Sequence, residues 1–255
     1  MTFPMNGDHT TTIEGRPSAA AVTERRRLLA PEIFSFEVHA VAIHFADRLD
    51  RAAHLLPQLD QLGAASTSFV EPIRMTDPAG YTSPGIRSCV EAHVRSIQQG
   101  LEAGAEAILV LEDDVALDLD ALRAHAHLIR ALSLGDFDAL QLGYLGAPLA
   151  GDGPMRFEPT SAPLIGSHAY VLPAHAAESW LAHLEANRTA DPTDPDRCPT
   201  GPDGNLNTWS ALDDVVRLVP TRSLADQFSS RSDITPKLWD RLAPKTLERM
   251  RSLRS

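Results

Sequence analysis

The sequence predicts an α/β fold in which a largely parallel sheet is flanked by helices. Short apolar runs of strand length alternate with segments of helical spacing, in the order β-α-β-α-β. Residues 107–111 are continuously apolar and too short for a core helix, which is typical of a central parallel strand. The chain has 255 residues, of which 43% are hydrophobic, and this is enough for one principal domain with a substantial core.

Each predicted strand is an apolar stretch bounded by polar or turn residues. Residues 38–44 are apolar and β-branched, and a polar turn follows them. The run at 107–111 ends abruptly in three acids. The predicted strands occupy residues 38–44, 66–71, 107–111, 139–144, 167–172 and 215–219.

Helices are predicted where apolar residues recur at helical spacing between start and stop signals. Gly63 terminates the first helix, Ser83 and Pro84 supply an N-cap and a first helical residue for the second, and Pro173 opens the last. The predicted helices occupy residues 49–62, 84–100, 119–132 and 173–185.

Three segments differ from this alternation and set the predicted domain limits. Residues 1–31 lack periodicity and are predicted to be a disordered arm, which leaves a folded domain at 32–236. The segment 189–204 carries four prolines and is either a functional loop, such as a lid, or disordered. Residues 237–255 hold six basic and two acidic side chains and are predicted to form a basic helix. That helix is either a solvated surface element or a docking surface for anionic lipid or a protein partner.

Charge and hydropathy exclude several classes of function. The chain has 23 basic and 34 acidic residues, a net charge of −11, which argues against nucleic acid as a partner. No run of 18 apolar residues occurs, and the polar N-terminus lacks the apolar core of a secretory signal. A cytoplasmic location is therefore predicted.

The two cysteines, Cys89 and Cys198, are too few for a disulfide framework. Neither has another cysteine or a histidine at a familiar zinc-ligand spacing. We therefore expect any metal to be held by oxygen ligands.

The three acids Glu112, Asp113 and Asp114 are the central chemical feature of the sequence. They follow the predicted strand 107–111, and ligands of open α/β sheets bind beyond the carboxyl ends of strands. Adjacent carboxylates repel one another, and Mg²⁺ or Mn²⁺ held by carboxylate oxygens would offset that repulsion. The alternative is an acidic turn that leads into the N-terminus of the next helix.

Several spaced motifs in the sequence resemble those of family 25 glycosyltransferases, the bacterial lipooligosaccharide-biosynthesis enzymes related to collagen galactosyltransferases. The resemblance covers about residues 38–227 and is strongest at Leu-Val-Leu-Glu-Asp-Asp-Val. In the first motif the family's Asn and first Asp are replaced by His44 and Ala46, and in the second its Gly and Ser are replaced by Ser88 and Ala92. The resembling segments are residues 43–51, 89–93, 109–115 and 166–170.

The resemblance implies a GT-A-like fold, a nucleotide-sugar-binding sheet flanked by helices with a smaller acceptor-side region. It also implies that Mn²⁺ or Mg²⁺ bridges the acidic motif and the donor diphosphate. In this sequence Asp114 and Glu112 would then hold the metal, while Asp113 would face the ribose of the donor or support a metal ligand.

A general base is needed if the reaction inverts the anomeric centre, because the acceptor hydroxyl must lose its proton. The resemblance places this base after a proline, at Asp203, and the aspartates Asp213 and Asp214 are rivals. Turn chemistry in a Pro/Gly loop explains Asp203 equally well. Only Asp226 and Gln227 stand where many such enzymes have a late metal-binding histidine.

Four further residues are predicted to line the donor cleft. His93 and His168 would donate hydrogen bonds to phosphate or sugar hydroxyls, or else are hydrogen-bonded core histidines. Arg48 and Arg51 would contact the nucleotide, or else are charges at the helix start.

The sequence thus predicts a metal-dependent transferase that moves a sugar from a nucleotide-diphosphate sugar, in the first instance a UDP-sugar, to a hydroxyl acceptor. A saccharide, a lipid-linked glycan or a small metabolite are all open as acceptors. A second hypothesis is a non-catalytic nucleotide-sugar-binding module with a degenerate site. A third is a nucleotidyltransferase, which would need a glycine-rich loop that residues 43–51 lack.

Overall fold

The structure is a computed structural model, and it describes residues 33–146, 149, 153–191 and 200–228. The predicted arm at 1–31 and the predicted basic helix at 237–255 lie outside the described residues, as does the middle of the predicted lid, residues 192–199.

Seven strands form the main sheet. They are β1 (Val38–Ile43), β2 (Ser66–Val70), β3 (Ala107–Glu112), β5 (Ala139–Gln141), β6 (Phe157–Pro159), β7 (Ala169–Pro173) and β8 (Arg217–Pro220). Their spatial order is β2-β1-β3-β7-β5-β8-β6. The strands β4 (Val115–Leu117) and β9 (Ala225–Gln227) form a separate two-stranded sheet.

The main sheet is mixed but has one dominant direction. Strand β1 pairs in parallel with β2 and β3, and β5 pairs in parallel with β8. Strand β7 is antiparallel to both β3 and β5, and β6 is antiparallel to β8. Five of the seven strands therefore run the same way, and the predicted α/β class is confirmed.

Six helices are described: α1 (Leu49–Leu62), α2 (Pro84–Glu102), α3 (Leu119–Ala124), α4 (Ala126–Arg130), α5 (Ala174–Arg188) and α6 (Pro202–Trp209). Gly63 ends α1 in the left-handed conformation at φ 69°, and the Ser83 hydroxyl accepts a hydrogen bond from the Ile86 amide at the start of α2. Both predicted caps are confirmed. Within the described part of the chain, no helix has the length and apolar character that a membrane span requires.

Two predicted elements differ from the structure. The single helix expected at 119–132 is divided at His125 into α3 and α4. The segment 189–204, expected to be a loop, contains the start of α6, because Pro202 occupies the first turn of that helix. Proline and glycine in this stretch therefore mark a helix start as well as a loop.

The sheet separates two apolar layers. Along β3, Leu109 and Leu111 contribute to one layer and Ile108 and Val110 to the other, as the two-residue period of a strand requires. Helix α2 lies close to the second face, since a Cβ added at Gly100 would be 2.6 Å from Ile108 Cγ1. This close contact joins the last turn of α2 to the start of β3, while the first turns of α2 and the end of β3 line a common cavity.

Candidate active site

A cavity of about 330 Å³ lies at the carboxyl edge of the sheet. Residues at or just beyond the ends of β1, β2 and β3 form part of its wall, and the first turns of α2 complete it. All three acids, Glu112, Asp113 and Asp114, line this cavity. The structure therefore places the acidic motif where the sequence predicts a ligand site.

Asp113 is fully engaged by neighbouring donors. One carboxylate oxygen accepts a hydrogen bond from Arg51, and the other lies 3.0 Å from His44 Nδ1 and 3.4 Å from the Phe45 amide. The residue is only 4% exposed. Asp113 therefore anchors the loop after β1 to the acidic motif and has little capacity left for a ligand.

Asp114 differs from Asp113 because one of its carboxylate oxygens accepts no hydrogen bond. Its Oδ1 is buried and has no hydrogen-bond partner, while its Oδ2 lies 3.5 Å from Arg51 Nη2. Burial, together with the negative charges of Glu112 and Asp113, raises the pKa of Asp114 to about 7, although Arg51 opposes the shift. A divalent cation would oppose this shift, because a nearby positive charge favours the ionised carboxylate.

Glu112 is held in the ionised form by its neighbours. Burial alone would raise its pKa, but the nearby His93 and His168 and the hydroxyl of Ser167 outweigh burial and lower it. Ser167 Oγ donates a 3.1 Å hydrogen bond to Glu112 Oε1. An ionised Glu112 next to an unpartnered Asp114 oxygen fits the oxygen-rich coordination of Mg²⁺ or Mn²⁺.

The predicted cleft residue His93 lies behind Glu112. Its ring is fully buried, its Nδ1 is 2.8 Å from the Tyr170 hydroxyl, and its Nε2 is 3.4 Å from Glu112 Oε1. Cys89, one helical turn earlier on α2, brings its thiol to the same place, and the three ligand atoms lie within 4.8 Å of one another. The sequence analysis expected oxygen ligands and did not pair Cys89 with His93, which lie four residues apart and therefore on the same face of α2.

His168 is buried immediately before β7. Its Nε2 lies 3.1 Å from the Ala225 carbonyl oxygen, and its ring fits against two glycines. A Cβ at Gly143 would be 2.4 Å from His168 Nε2, and one at Gly166 would be 2.9 Å from Nδ1. The structure places His168 outside the cavity wall, where it links β7 to β9 and affects the site through its charge on Glu112.

Arg51 and Arg48 have different positions. Arg51 is 7% exposed and contacts Asp113 and Asp114 directly, so it is a buried part of the site rather than a surface charge. Arg48 precedes α1 and forms an ion pair with Asp50, and it does not line the cavity.

The three candidate bases are not brought together. Asp203 is the second residue of α6, where its Oδ1 accepts a 2.9 Å hydrogen bond from the Gly204 amide, and its charge is one of those that raise the pKa of the Cys89 thiol after burial. Asp213 and Asp214 are exposed and precede β8. Since β8 and β3 run in the same direction, Asp213 and Asp214 lie at the edge of the sheet opposite the acidic motif.

Residues 225–228, near the end of the described chain, lie beside the acidic motif. In the β4–β9 pair Gln227 is opposite Val115 and Asp226 is opposite Ala116, and the Phe228 amide donates to the Asp114 carbonyl oxygen. Asp226 Oδ1 accepts a hydrogen bond from the Gln227 amide. The backbone of this segment therefore lies beside the acidic motif, but neither the Asp226 nor the Gln227 side chain lines the cavity.

Arg74 lines the cavity and was not identified from the sequence. Arg74 lies with its guanidinium carbon 4.1 Å from the centre of the Phe45 ring and pairs with Asp47 at 3.0 Å. Gly85, in the first turn of α2, also lines the cavity. A lone arginine in the loop after β2 gives no local signal, since only the fold brings it to the acids.

No protein-family model and no curated protein matches this chain. Among solved structures, a glycosyltransferase involved in the glycosylation of the major capsid of PBCV-1 matches with a TM-score of 0.41 and 15% identity, over 62% of this chain and 70% of that one. A mannose-1-phosphate geranyltransferase from Thermus thermophilus matches with a TM-score of 0.35 and 14% identity, over 74% of this chain and 75% of that one. At these values neither neighbour identifies what this chain does.

Proposed function

We propose that this protein is a metal-dependent glycosyltransferase that moves a sugar from a nucleotide-diphosphate sugar to an acceptor hydroxyl. The observation that carries the proposal is the buried, unpartnered Oδ1 of Asp114 in a cavity wall that also holds Glu112 and Asp113. Glu112 and Asp114 would hold Mn²⁺ or Mg²⁺, which stabilises negative charge on the leaving nucleoside diphosphate when bound.

The protein's own groups supply the complementary charge for an anionic donor. The cavity wall includes Arg74 and the first turn of α2, whose N-terminus carries a positive partial charge. The volume of about 330 Å³ is within the range of small-molecule pockets, roughly 300–1,000 Å³. The cavity thus combines carboxylates that would bind a cation with hydrogen-bond donors that would bind phosphate. This combination suits a diphosphate that carries a bound metal ion.

The arrangement of the motif segments adds support for a GT-A-like site. Ile43, at the start of the first segment and the end of β1, is the register partner of Glu112, and Cys89 and His93 of the second segment approach Glu112 from α2. Ser167 of the last segment donates to the same carboxylate. Three segments that are far apart in sequence thus meet at Glu112 of the remaining segment.

Asp203 remains the proposed general base. It would accept the proton of the acceptor hydroxyl as that oxygen attacks the sugar. Replacement by asparagine would remove this basicity and keep the size of the side chain. We expect Asp203→Asn to lower the transfer rate by about 10²–10⁴-fold with donor affinity retained, measured by donor titration and product formation.

The experiment is a donor screen in which nucleotide-diphosphate sugars, Mn²⁺ and a mixture of saccharide, lipid-linked and small-metabolite acceptors are incubated with the protein. We expect release of nucleoside diphosphate and a glycosylated product with the wild-type chain, and none with Asp114→Asn. The control is Asp120→Asn, because the Asp120 side chain is 98% exposed and outside the cavity. Donor binding without any product over long incubation would overturn the transferase in favour of a non-catalytic module.

A further inference from the structure

A second set of metal ligands lies beside the carboxylates. It consists of the Cys89 thiol and the His93 ring, both on α2, and the Glu112 carboxylate at the end of β3. Their ligand atoms all lie within 4.8 Å of one another. Cys89 is a free thiol at the cavity wall, and His93 is fully buried behind it.

The His93 ring has a nitrogen that no protein group satisfies. Its Nε2 is buried and without a hydrogen-bond partner, and it lies 3.4 Å from Glu112 Oε1. That distance exceeds the roughly 2.7–3.2 Å of an N–H···O hydrogen bond. It equals the spacing of about 3.4 Å between nitrogen and oxygen ligands on a tetrahedral Zn²⁺ with bonds of about 2.0–2.2 Å.

The surroundings orient the ligands. His93 Nδ1 lies 2.8 Å from Tyr170 Oη, so in a metal-bound form a proton on Nδ1 would be donated to Tyr170 and the Nε2 lone pair would be left for the cation. Ser167 orients the carboxylate from the other side. Metal-bound histidines commonly donate their second N–H in this way, and this fixes both the tautomer and the ring position.

We propose that Cys89, His93 and Glu112 form a binding site for a thiophilic divalent cation of the Zn²⁺ type. The cavity leaves a fourth position open beside Cys89. Thiolate and imidazole ligands favour Zn²⁺ and Co²⁺ over Mn²⁺ and Mg²⁺, and the Cys89 thiol loses its proton when the cation binds. The site does not depend on the proposed sugar transfer, although it shares Glu112 with the oxygen-ligated cation of that proposal.

The test is a titration of the full-length, metal-free protein with Co²⁺, monitored by absorption. We expect a thiolate-to-cobalt charge-transfer band that saturates at one equivalent and is removed by Zn²⁺ but not by excess Mn²⁺. Cys89→Ser and Cys89→Ala should lose the band, and Cys198→Ser, the matched control, should keep it. Tyr170→Phe should weaken Zn²⁺ binding by about 10–100-fold.

The proposal is overturned if Co²⁺ gives no such band with the wild-type chain, or if folded Cys89→Ala keeps it. Circular dichroism identifies which variants are folded, and Cys89→Ala provides an apolar replacement should the serine variant fail to fold. No sugar donor is present, so failure of sugar transfer leaves this result unchanged. A chain that transfers sugar but shows no thiolate band overturns only the thiophilic site.

Discussion

At the residue scale, Asp114 is the described carboxyl group whose ionisation the fold opposes most clearly. Its pKa is raised to about 7 from an ordinary value of 3.8, because burial and two neighbouring carboxylates disfavour the charge. The folded chain therefore binds one more proton than the unfolded chain between about pH 4 and pH 7. Within this window the free energy of unfolding falls as pH rises, by at most about 1.4 kcal/mol per pH unit from this group.

Asp114→Asn removes this cost because asparagine stays neutral. We expect the variant to match the wild type near pH 4 and to be more stable by up to about 4 kcal/mol at pH 8 in the presence of a chelator. Urea unfolding at the two pH values measures this difference. Asp120→Asn serves as the exposed control, and an Asp114→Asn variant that is less stable than the wild type at pH 8 would contradict the account.

Arg51 is the positive charge that contacts both Asp113 and Asp114 in the cavity wall. Arg51→Met keeps the apolar stem but leaves Asp113 and Asp114 without their cation. We expect a loss of about 3–5 kcal/mol in the free energy of unfolding at pH 7.5, as for other broken buried pairs. Arg123→Met removes a more exposed i, i+3 pair and should cost less than about 1 kcal/mol. Equal losses in the two variants would show that Arg51 is not a buried counter-charge.

The three acids Glu112, Asp113 and Asp114 show which properties of single residues can be predicted from sequence. Their position after β3 predicts a ligand site, and the structure places all three in the wall of a cavity. Which oxygen remains free depends on Arg51 and His44, which contact Asp113 from the first β-α unit. Because these contacts exist only in the folded chain, no local sequence pattern could predict that Asp113 is paired while an oxygen of Asp114 is not.

At the element scale, the site depends on how closely α2 approaches β3. Gly100→Ala would place a Cβ within 2.6 Å of Ile108 Cγ1 and push the helix away from the strand. We expect a loss of about 1–3 kcal/mol in urea unfolding, the usual cost of overpacking. Gly135→Ala, which has nothing within 4 Å of the added Cβ, should change stability by less than about 1 kcal/mol. If both variants behaved alike, the close packing of α2 would be refuted.

The elements that sequence predicts best are those with local signals. Gly63 and Ser83 mark helix ends because a left-handed residue and an N-cap hydroxyl are determined by their own neighbours. The strands β4, β6 and β9 have three residues each and were not predicted. Such short strands are defined by their pairing partners, which lie far away in the sequence.

At the scale of the whole molecule, the alternation of strands and helices predicts the α/β class but not the direction of every strand. The reversal of β7 between β3 and β5 depends on the path of the connections, which composition does not reveal. The same reversal brings Ser167 and His168, which precede β7, to the carboxyl edge beside Glu112. The long-range part of the site thus follows from topology.

The central claim is that the carboxylate-lined cavity binds a divalent cation together with a nucleoside diphosphate. Electron paramagnetic resonance of free Mn²⁺ tests it directly, with uridine diphosphate present and the protein titrated in. We predict that the wild-type chain removes the free Mn²⁺ signal with one site per chain, and that Asp114→Asn weakens this binding at least about tenfold. A signal that the wild-type chain leaves unchanged, or that both chains remove equally, would contradict the account.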